Sequence, residues 1–177
     1  HEAGLKVRTS KPIVIYRETI SHNYEGAPIL GKSPNKHNKC WVTLEKLSNE
    51  VIEAIKQGKI SEMQGREEKQ KTLVTQFGWE TDDARNAVAI EETNILVNKI
   101  KGRQYVEEIL DHMISGFREA VNNSILAQEP AYGVKVNLMD IQIHEDPVHR
   151  GPAQILPMTW RPIWCCFLLS DPKLLEP

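Results

Sequence analysis

A long strand-like segment that runs straight into a crowded polar loop is the feature that most constrains this chain. From Tyr132 to Ile143 apolar side chains recur at every second position, which is typical of a β-strand with one buried face. The phase of the alternation flips between Leu138 and Asp140, and such a flip predicts a β-bulge. The next residues, His144 to Gln154, are dense in polar groups. We therefore predict that this strand presents an ordered polar loop at one end of a sheet.

The remaining elements interleave strands and helices without a strict βαβα order. We predict strands at Pro12–Ile20, Cys40–Glu45 and Asn94–Asn98, with a polar loop at Ser21–Asn35. Capping residues and apolar periodicity predict helices over 50–57, 66–77, 81–87, 105–122 and 159–169. This pattern favours an α+β sandwich in which helices cover one face of a sheet. The charged segment from about 48 to 88 is predicted to be a helical insertion.

Two of the predicted helices contain residues that helices normally avoid. Gly116 lies inside Tyr105–Asn122 and costs about 1 kcal/mol relative to Ala, so we predict that it allows another backbone to approach closely. Pro162 lies near the start of Thr159–Leu169, and we predict that it occupies the first turn, where no backbone N–H is needed.

Length and composition favour a single globular domain. The chain has 177 residues, of which 40% are hydrophobic and 26% are charged, and these values suit a buried core. Apolar runs stay well short of the ~18 residues that a membrane span needs. Because the sequence starts without Met, we expect a fragment of a longer protein. We predict a lead-in from a preceding domain at 1–11, the domain itself at 12–172 and the start of a linker at 173–177.

Cysteine usage indicates a reducing environment. The three cysteines are Cys40, Cys165 and Cys166, an odd set with two adjacent members that makes no disulfide framework. We therefore predict buried, reduced thiols and a cytoplasmic location.

The segment Gly26–Ser33 matches the phosphate-binding pattern G-x-x-x-x-G-K-[ST] letter for letter. A working phosphate loop needs consecutive backbone N–H groups and a helix that begins at the Lys. Pro28 removes one donor, and Pro34 disfavours a helical conformation at Ser33. We therefore reject a nucleotide site, and a small NTPase is the least favoured alternative.

Metal binding and catalysis are weakly supported by the pattern. His37, Cys40, His144 and His149 are nitrogen and sulfur ligands of the kind that zinc uses, but their spacing fits no compact zinc module. His149 with Asp146 resembles an oriented base, yet no nucleophile lies near in sequence. We predict no metal ligand and no catalytic residue in this chain.

Contact with RNA is the remaining interpretation of the polar loops. Residues 1–40 hold seven Lys or Arg and three Asp or Glu, although the net charge of the whole chain is −2. Cationic, flat and turn-forming side chains suit RNA that is not regular duplex. The candidate contact residues are Lys32, Ser33, Pro34, Asn35, Lys36, His37 and Asn38 in one loop and His144, Asp146, Val148, His149, Arg150 and Gly151 in the other. From the pattern alone, an ordinary solvated loop is the simpler alternative.

The same two loops carry a resemblance to a known family. Lys32–Asn38 and His144–Gln154 resemble motifs of translation elongation factor 2 of archaea and eukaryotes. Further matching stretches, in the family's order, are Val14–Thr19, Phe77–Trp79, Asn94–Val97, Gly116–Phe117, Gly133–Val134 and Leu175–Pro177. The Gly-Pro-Ala after Arg150 resembles the archaeal form. The matching region is the fourth domain of the family, with a short lead-in from the third.

The resemblance implies both a fold and a role. The fold would be that of the second domain of ribosomal protein S5, and the domain would enter the small-subunit decoding centre during translocation. The implied partners are the ribosome, tRNA and mRNA. GTP and Mg²⁺ would bind another domain of the parent protein, so this fragment would hold no cofactor.

The resemblance also implies a modified residue. By position His149 is the histidine that the family converts to diphthamide, so diphthamide-synthesis enzymes are implied partners. Asp146 and His144 would shape its loop, and Gly151 would allow the tight turn that exposes His149.

Departures from the family pattern suggest an alternative. Pro147-Val148 stands where the family usually has Ala-Ile, and Trp160, Pro162 and Trp164 replace small or basic residues. The alternative is a paralogous ribosome-binding factor without diphthamide, acting in dormancy or recycling. The family also completes this domain with a helix from its far C-terminus. Without that helix we expect an exposed apolar patch through which the fragment dimerises.

Overall fold

The computed structural model describes residues 16–176 of the chain. Its strands and helices are each numbered in chain order, and a 3₁₀ turn lies at Pro147–His149. The strands are β1 (Arg17–Ile20), β2 (Ile29–Lys32), β3 (Lys39–Lys46), β4 (Ala87–Glu91), β5 (Asn94–Asn98), β6 (Val134–Gln142) and β7 (Pro172–Leu175). The helices are α1 (Asn49–Lys56), α2 (Arg66–Phe77), α3 (Thr81–Arg85), α4 (Val106–Asn122) and α5 (Pro152–Leu168).

A five-stranded mixed sheet in the order β2-β3-β6-β5-β4 forms the centre of the domain. All neighbouring strands are antiparallel except β5 and β6, which are parallel. Lys39 at the start of β3 pairs with Gln142 at the end of β6. The loop before β3 and the loop after β6 therefore leave the sheet at the same edge.

Helices cover both faces of this sheet. On one face α4 and α5 enclose the larger core, in which Phe117 and Phe167 pack with Leu96, Val136 and Leu138. Because strand side chains alternate, Ile95 and Val97 point to the opposite face, where they pack with Leu73 and other residues of α1–α3. The predicted α+β sandwich with a helical insertion is confirmed, and the insertion covers the second face.

The β-bulge predicted in the long strand is present. Trp41 pairs with Asp140 and the next residue, Val42, pairs with Leu138, so Met139 is the extra residue. The insertion resets the alternation, and Leu138 and Ile141 both reach the larger core.

Two glycines let α5 lie close to its neighbours. A Cβ at Gly116 would lie 2.8 Å from the Thr159 Cβ and 3.0 Å from the Leu156 carbonyl oxygen, which confirms the predicted close approach to α4. A Cβ at Gly31 would lie 2.6 Å from the Pro162 Cγ and would collide with the Met158 carbonyl oxygen. Gly31 therefore serves helix packing on β2.

The predicted first residue of α5 was wrong. The helix begins at Pro152, not Thr159, so Pro162 lies in its interior and not in its first turn. Proline lacks the N–H that would bond to the Met158 carbonyl four residues earlier. The Cys40 thiol lies 3.2 Å from that carbonyl and donates to it, so the carbonyl keeps a partner.

Short strands account for the other differences. β2 lies within the predicted loop Ser21–Asn35, and β4 begins at Ala87, where the third predicted helix was expected to end. β7 lies where the start of a linker was expected and pairs with β1. Residues 12–15 of the first predicted strand lie outside the described residues. Of the helices in residues 16–176, none is long and apolar enough to cross a membrane.

Candidate functional site

Two loops lie side by side at one end of the five-stranded sheet. We call residues 33–38 the β2–β3 loop and residues 143–151 the histidine loop. The side-chain amides of Asn35 and Asn38 donate to the carbonyl oxygen of His149 at 2.9 and 2.7 Å. Asn38 also accepts from the His144 N–H at 3.0 Å, and Gln154 accepts from the Asn35 N–H at 2.8 Å. The two loops predicted as candidate contact sites thus form one hydrogen-bonded unit.

A buried hydroxyl organises the β2–β3 loop. The Ser33 hydroxyl donates to the Asn35 side chain at 2.5 Å and accepts from the backbone and side chain of Asn38 at 3.0 and 3.2 Å. Ser33 and Asn38 are almost fully buried, so their side chains hold the loop and do not face solvent. Lys36 adopts a left-handed conformation at the turn, with φ of 64°, and is exposed together with His37.

The histidine loop is shaped by two of the residues predicted to shape it. Asp146 caps the 3₁₀ turn: its side chain accepts from the Val148 N–H at 3.0 Å, and its carbonyl accepts from the His149 N–H at 3.0 Å. The His144 Nδ1 accepts from the Asp146 N–H at 3.0 Å. The expected role of Gly151 was wrong. Its φ of −75° is open to any residue, and an added Cβ would meet nothing within 4 Å.

Three imidazoles gather where the loops meet. The ring centroid of His149 lies 4.4 Å from that of His37 and 4.7 Å from that of His144, and the other two centroids are 5.0 Å apart. Because the His144 Nδ1 accepts a hydrogen bond, the neutral ring carries its proton on Nε2. Within residues 16–176 no group of three or more His, Cys, Asp or Glu has an arrangement that would hold a metal ion. The cluster offers flat surfaces for stacking.

Cys40, whose thiol is of the kind that zinc uses, faces the core. Burial raises the pKa of its thiol to about 12, so the thiolate that a metal or an electrophile needs is strongly disfavoured.

Arg150 does not display its charge as the sequence suggested. Its side chain is 7% exposed. Its guanidinium donates to the carbonyls of His144 and Glu145 at 2.9 and 2.6 Å and to Glu108 at 2.5 Å, and it lies 4.2 Å from the ring centroid of Tyr105. Glu108 and Tyr105 belong to the start of α4, and nothing in their local sequence marked them as partners of this loop.

The surface that remains at this end carries exposed lysines, the exposed carboxylates of Glu145 and Asp146, and one apolar point. Lys32, Pro34, Lys36 and His37 are exposed, and Val148 at the crest of the 3₁₀ turn is 82% exposed. The segment that matched a phosphate-binding loop ends in β2, where Gly31 and Lys32 pair with β3. It therefore lacks the loop-to-helix geometry that binds phosphates.

The mixed sheet, α4 and α5 on one face and the joined loops at one edge define an α+β domain with the fold of ribosomal protein S5 domain 2. The family model for elongation factor G, domain IV, matches residues 59–171. The chain belongs to this family.

Curated relatives match over nearly the whole chain. Elongation factor 2 of Methanopyrus kandleri is 45% identical over 177 residues, which are 99% of this chain and 14% of that protein. Elongation factor 2 of Ignicoccus hospitalis is 44% identical over 98% of this chain, and that of Desulfurococcus amylolyticus is 46% identical over 98%. The chain spans 24% of the length of each of these two relatives. The resemblance to archaeal elongation factor 2 is thereby confirmed.

Proposed function

We propose that this chain is the part of a translation elongation factor that enters the small-subunit decoding centre. Its joined loops contact small-subunit rRNA, tRNA and mRNA there and support GTP-dependent translocation in the cytoplasm. GTP and Mg²⁺ belong to another domain of the parent protein, and this part is non-catalytic.

The hydrogen-bonded joint between the loops is the observation that carries this proposal. Asn35 and Asn38 hold the backbone of His149 from the neighbouring loop, so the cationic turn at Lys36 and the imidazole cluster keep a fixed relation. A loop whose conformation is already fixed by hydrogen bonds loses little conformational entropy when it binds a partner. The joint therefore favours contact with one defined RNA shape.

The charges at this end suit RNA. Lys32 and Lys36 are exposed and would approach phosphates, which gives binding a marked salt dependence. The imidazoles of His37 and His149 would stack on unpaired bases. Glu145 and Asp146 are the acidic residues of the histidine loop, and one oxygen of Asp146 is already engaged by the Val148 N–H.

His149 is the proposed target of the diphthamide-synthesis enzymes. The main-chain N–H and carbonyl of His149 are both hydrogen-bonded. The preceding residues Pro147 and Val148 are exposed, so an enzyme can reach His149 from that side. Diphthamide adds a trimethylammonio group, which would increase the positive charge facing RNA phosphates.

A paralogous ribosome-binding factor without diphthamide is the second candidate. The observation that favours it is α5, where the rings of Trp160 and Trp164 lie 6.2 Å apart on a helix that also contains Pro162. The expected family pattern has small or basic residues at these positions. Both candidates bind the ribosome and differ in the state of His149.

Binding to purified small ribosomal subunits tests the proposal. We expect Lys36→Glu to weaken binding about tenfold at moderate salt and to lower the salt dependence, because it replaces a phosphate contact with a repulsive charge. The matched control is Lys71→Glu on α2, because Lys71 is also exposed but lies on the helical insertion. Equal losses for the two variants would contradict a role for the joined loops.

Mass spectrometry separates the two candidates. The peptide covering residues 136–161 from native cells should carry the mass of diphthamide at His149. An unmodified peptide from native cells would favour the paralogue.

Dimerisation of the fragment also remains a prediction. Leu168 and Leu169 at the end of α5 are each 54% exposed and are candidates for the apolar patch. Sedimentation of the chain should give a dimer that Leu168→Ser with Leu169→Ser converts to a monomer. A wild-type monomer would contradict the prediction.

A further inference from the structure

We propose that Arg150 is the positioning residue of the histidine loop, and that it acts through the geometry of its guanidinium and not through surface charge. The inference deepens the proposed function, on which it rests, by naming what holds His149 in place. It also changes the role of a residue that the sequence assigned to RNA contact.

The hydrogen bonds of Arg150 connect the beginning of the histidine loop to its end. One nitrogen, Nη1, donates to the carbonyls of both His144 and Glu145, so it bridges two successive peptide groups that precede the 3₁₀ turn. The second nitrogen, Nη2, donates to Glu108 on α4. The guanidinium thus ties both ends of the loop to a helix in the body of the domain.

The backbone of Tyr105 gives independent support. Tyr105 has φ of 70°, a left-handed conformation that is uncommon for an aromatic residue and costs about 1 kcal/mol or more. It precedes the first residue of α4, and its ring lies 4.2 Å from the centre of the guanidinium. The backbone of Tyr105 thus adopts a costly conformation while its ring supplies a stacking surface for the buried guanidinium.

A lysine does not replace this arrangement. The planar guanidinium offers several N–H groups in fixed directions and stacks on a ring, whereas an ammonium is a compact point charge. Arg150→Lys therefore keeps the charge and loses the bridge. This difference separates a positioning role from a purely electrostatic one.

Amide hydrogen exchange in the free 177-residue chain, followed by NMR, tests the inference without any ribosome. The reporters are the N–H groups of residues 149 and 150, which bond to the carbonyls of Asp146 and Pro147. We expect Arg150→Lys and Arg150→Gln each to accelerate this exchange about tenfold or more, because buried charge-assisted hydrogen bonds are lost. Arg161→Gln, at an exposed position of α5, is the control and should leave the rates unchanged.

Two peripheral variants keep the test decisive if Arg150→Gln prevents folding. Tyr105→Leu removes the stacking surface and should also accelerate exchange at residues 149 and 150. Glu108→Gln keeps the two carbonyl bonds and should have a smaller effect than Tyr105→Leu and Arg150→Lys. The imidazole signals of His149 should shift in the same order.

Unchanged exchange and unchanged His149 signals in Arg150→Lys would overturn the inference, because the charge alone would then suffice. This outcome is independent of ribosome binding. A chain that fails to bind small subunits but shows the expected exchange pattern would refute the proposed function and leave the positioning role intact.

Discussion

The side-chain amide of Asn38 donates a 2.7 Å hydrogen bond to the main-chain carbonyl of His149, across 111 positions of sequence. Its side-chain oxygen accepts from the N–H of His144. One buried side chain thus fixes both ends of the segment that carries the imidazoles, because β3 and β6 deliver the two loops to the same edge.

Asn38→Ala should destabilise the domain by about 2 kcal/mol, because the His144 N–H loses its acceptor and the His149 carbonyl keeps only the Asn35 amide as a side-chain donor. Thermal unfolding of this variant measures the loss. Asn49→Ala, at an exposed position at the start of α1, is the control and should change stability much less. Equal effects would show that the bridge contributes little.

Gly116→Ala should destabilise the domain by about 1–3 kcal/mol, although Ala favours a helix, because the new Cβ would lie 2.8 Å from the Thr159 Cβ. Chemical unfolding of Gly116→Ala and Gly151→Ala makes the comparison. Gly151→Ala should cost about 1 kcal/mol or less, since its added Cβ meets nothing. A larger loss for Gly151→Ala would contradict the packing assigned to α4 and α5.

Glu18→Gln should destabilise the domain by about 2 kcal/mol. The buried carboxylate accepts from the backbone N–H groups of Leu126, Ala127 and Glu129 at 2.6, 3.1 and 2.8 Å, and an amide offers one oxygen instead of two. Glu25→Gln at an exposed position is the control. Thermal unfolding of both variants gives the comparison, and similar melting temperatures would rule out this role of Glu18.

The interactions of Asp83 should make the stability of the domain depend on pH. Burial alone would raise the pKa of Asp83, but the hydrogen bond and charge of Lys135 and the charge of Lys99 outweigh it and hold that pKa below its ordinary value. A lowered pKa stabilises the folded state above the unfolded-state pKa, and this contribution is lost as the pH falls through the folded-state pKa. Asp83→Asn should therefore be less stable than the wild type at pH 7. The difference between their free energies of unfolding should shrink at low pH.

Unfolding curves at several pH values measure that difference. Asp82→Asn is the control, because Asp82 forms an exposed ion pair with Lys101 that contributes little. A gap between the wild type and Asp83→Asn that stays constant down to acid pH would contradict the assigned interaction.

The rate at which each cysteine reacts with a thiol reagent should fall as its burial increases. Burial raises the pKa of both the Cys40 and the Cys166 thiols to about 12, whereas Cys165 is partly exposed. A thiol reagent at pH 8 should therefore modify Cys165 first in the native chain, and peptide mapping identifies the labelled site. Labelling of all three at equal rates would contradict the burial of Cys40 and Cys166.

Local periodicity predicted much of the fold. The helix at Arg66–Phe77, the bulge beside Leu138 and the positions of the two polar loops follow from spacing, turn residues and family motifs. The start of α5 was missed because Pro157 and Pro162 argue locally against a helix, and packing against Gly31 and a thiol donor overrides them.

The role of Arg150 was missed for a similar reason. Its partner Glu108 lies 42 positions away, and only the packing of α4 beside the histidine loop brings them together. Sequence patterns identify which residues are polar and turn-forming. They do not reveal which of these are buried by a distant helix.

Photo-crosslinking from position 148 to small ribosomal subunits tests the central claim most directly. A photoreactive amino acid in place of Val148, which is 82% exposed beside His149, should crosslink to rRNA of the decoding centre. The same group in place of Lys71 on the helical insertion should not. Crosslinks from position 148 to another region of the ribosome, or equal decoding-centre crosslinks from both positions, would contradict the account.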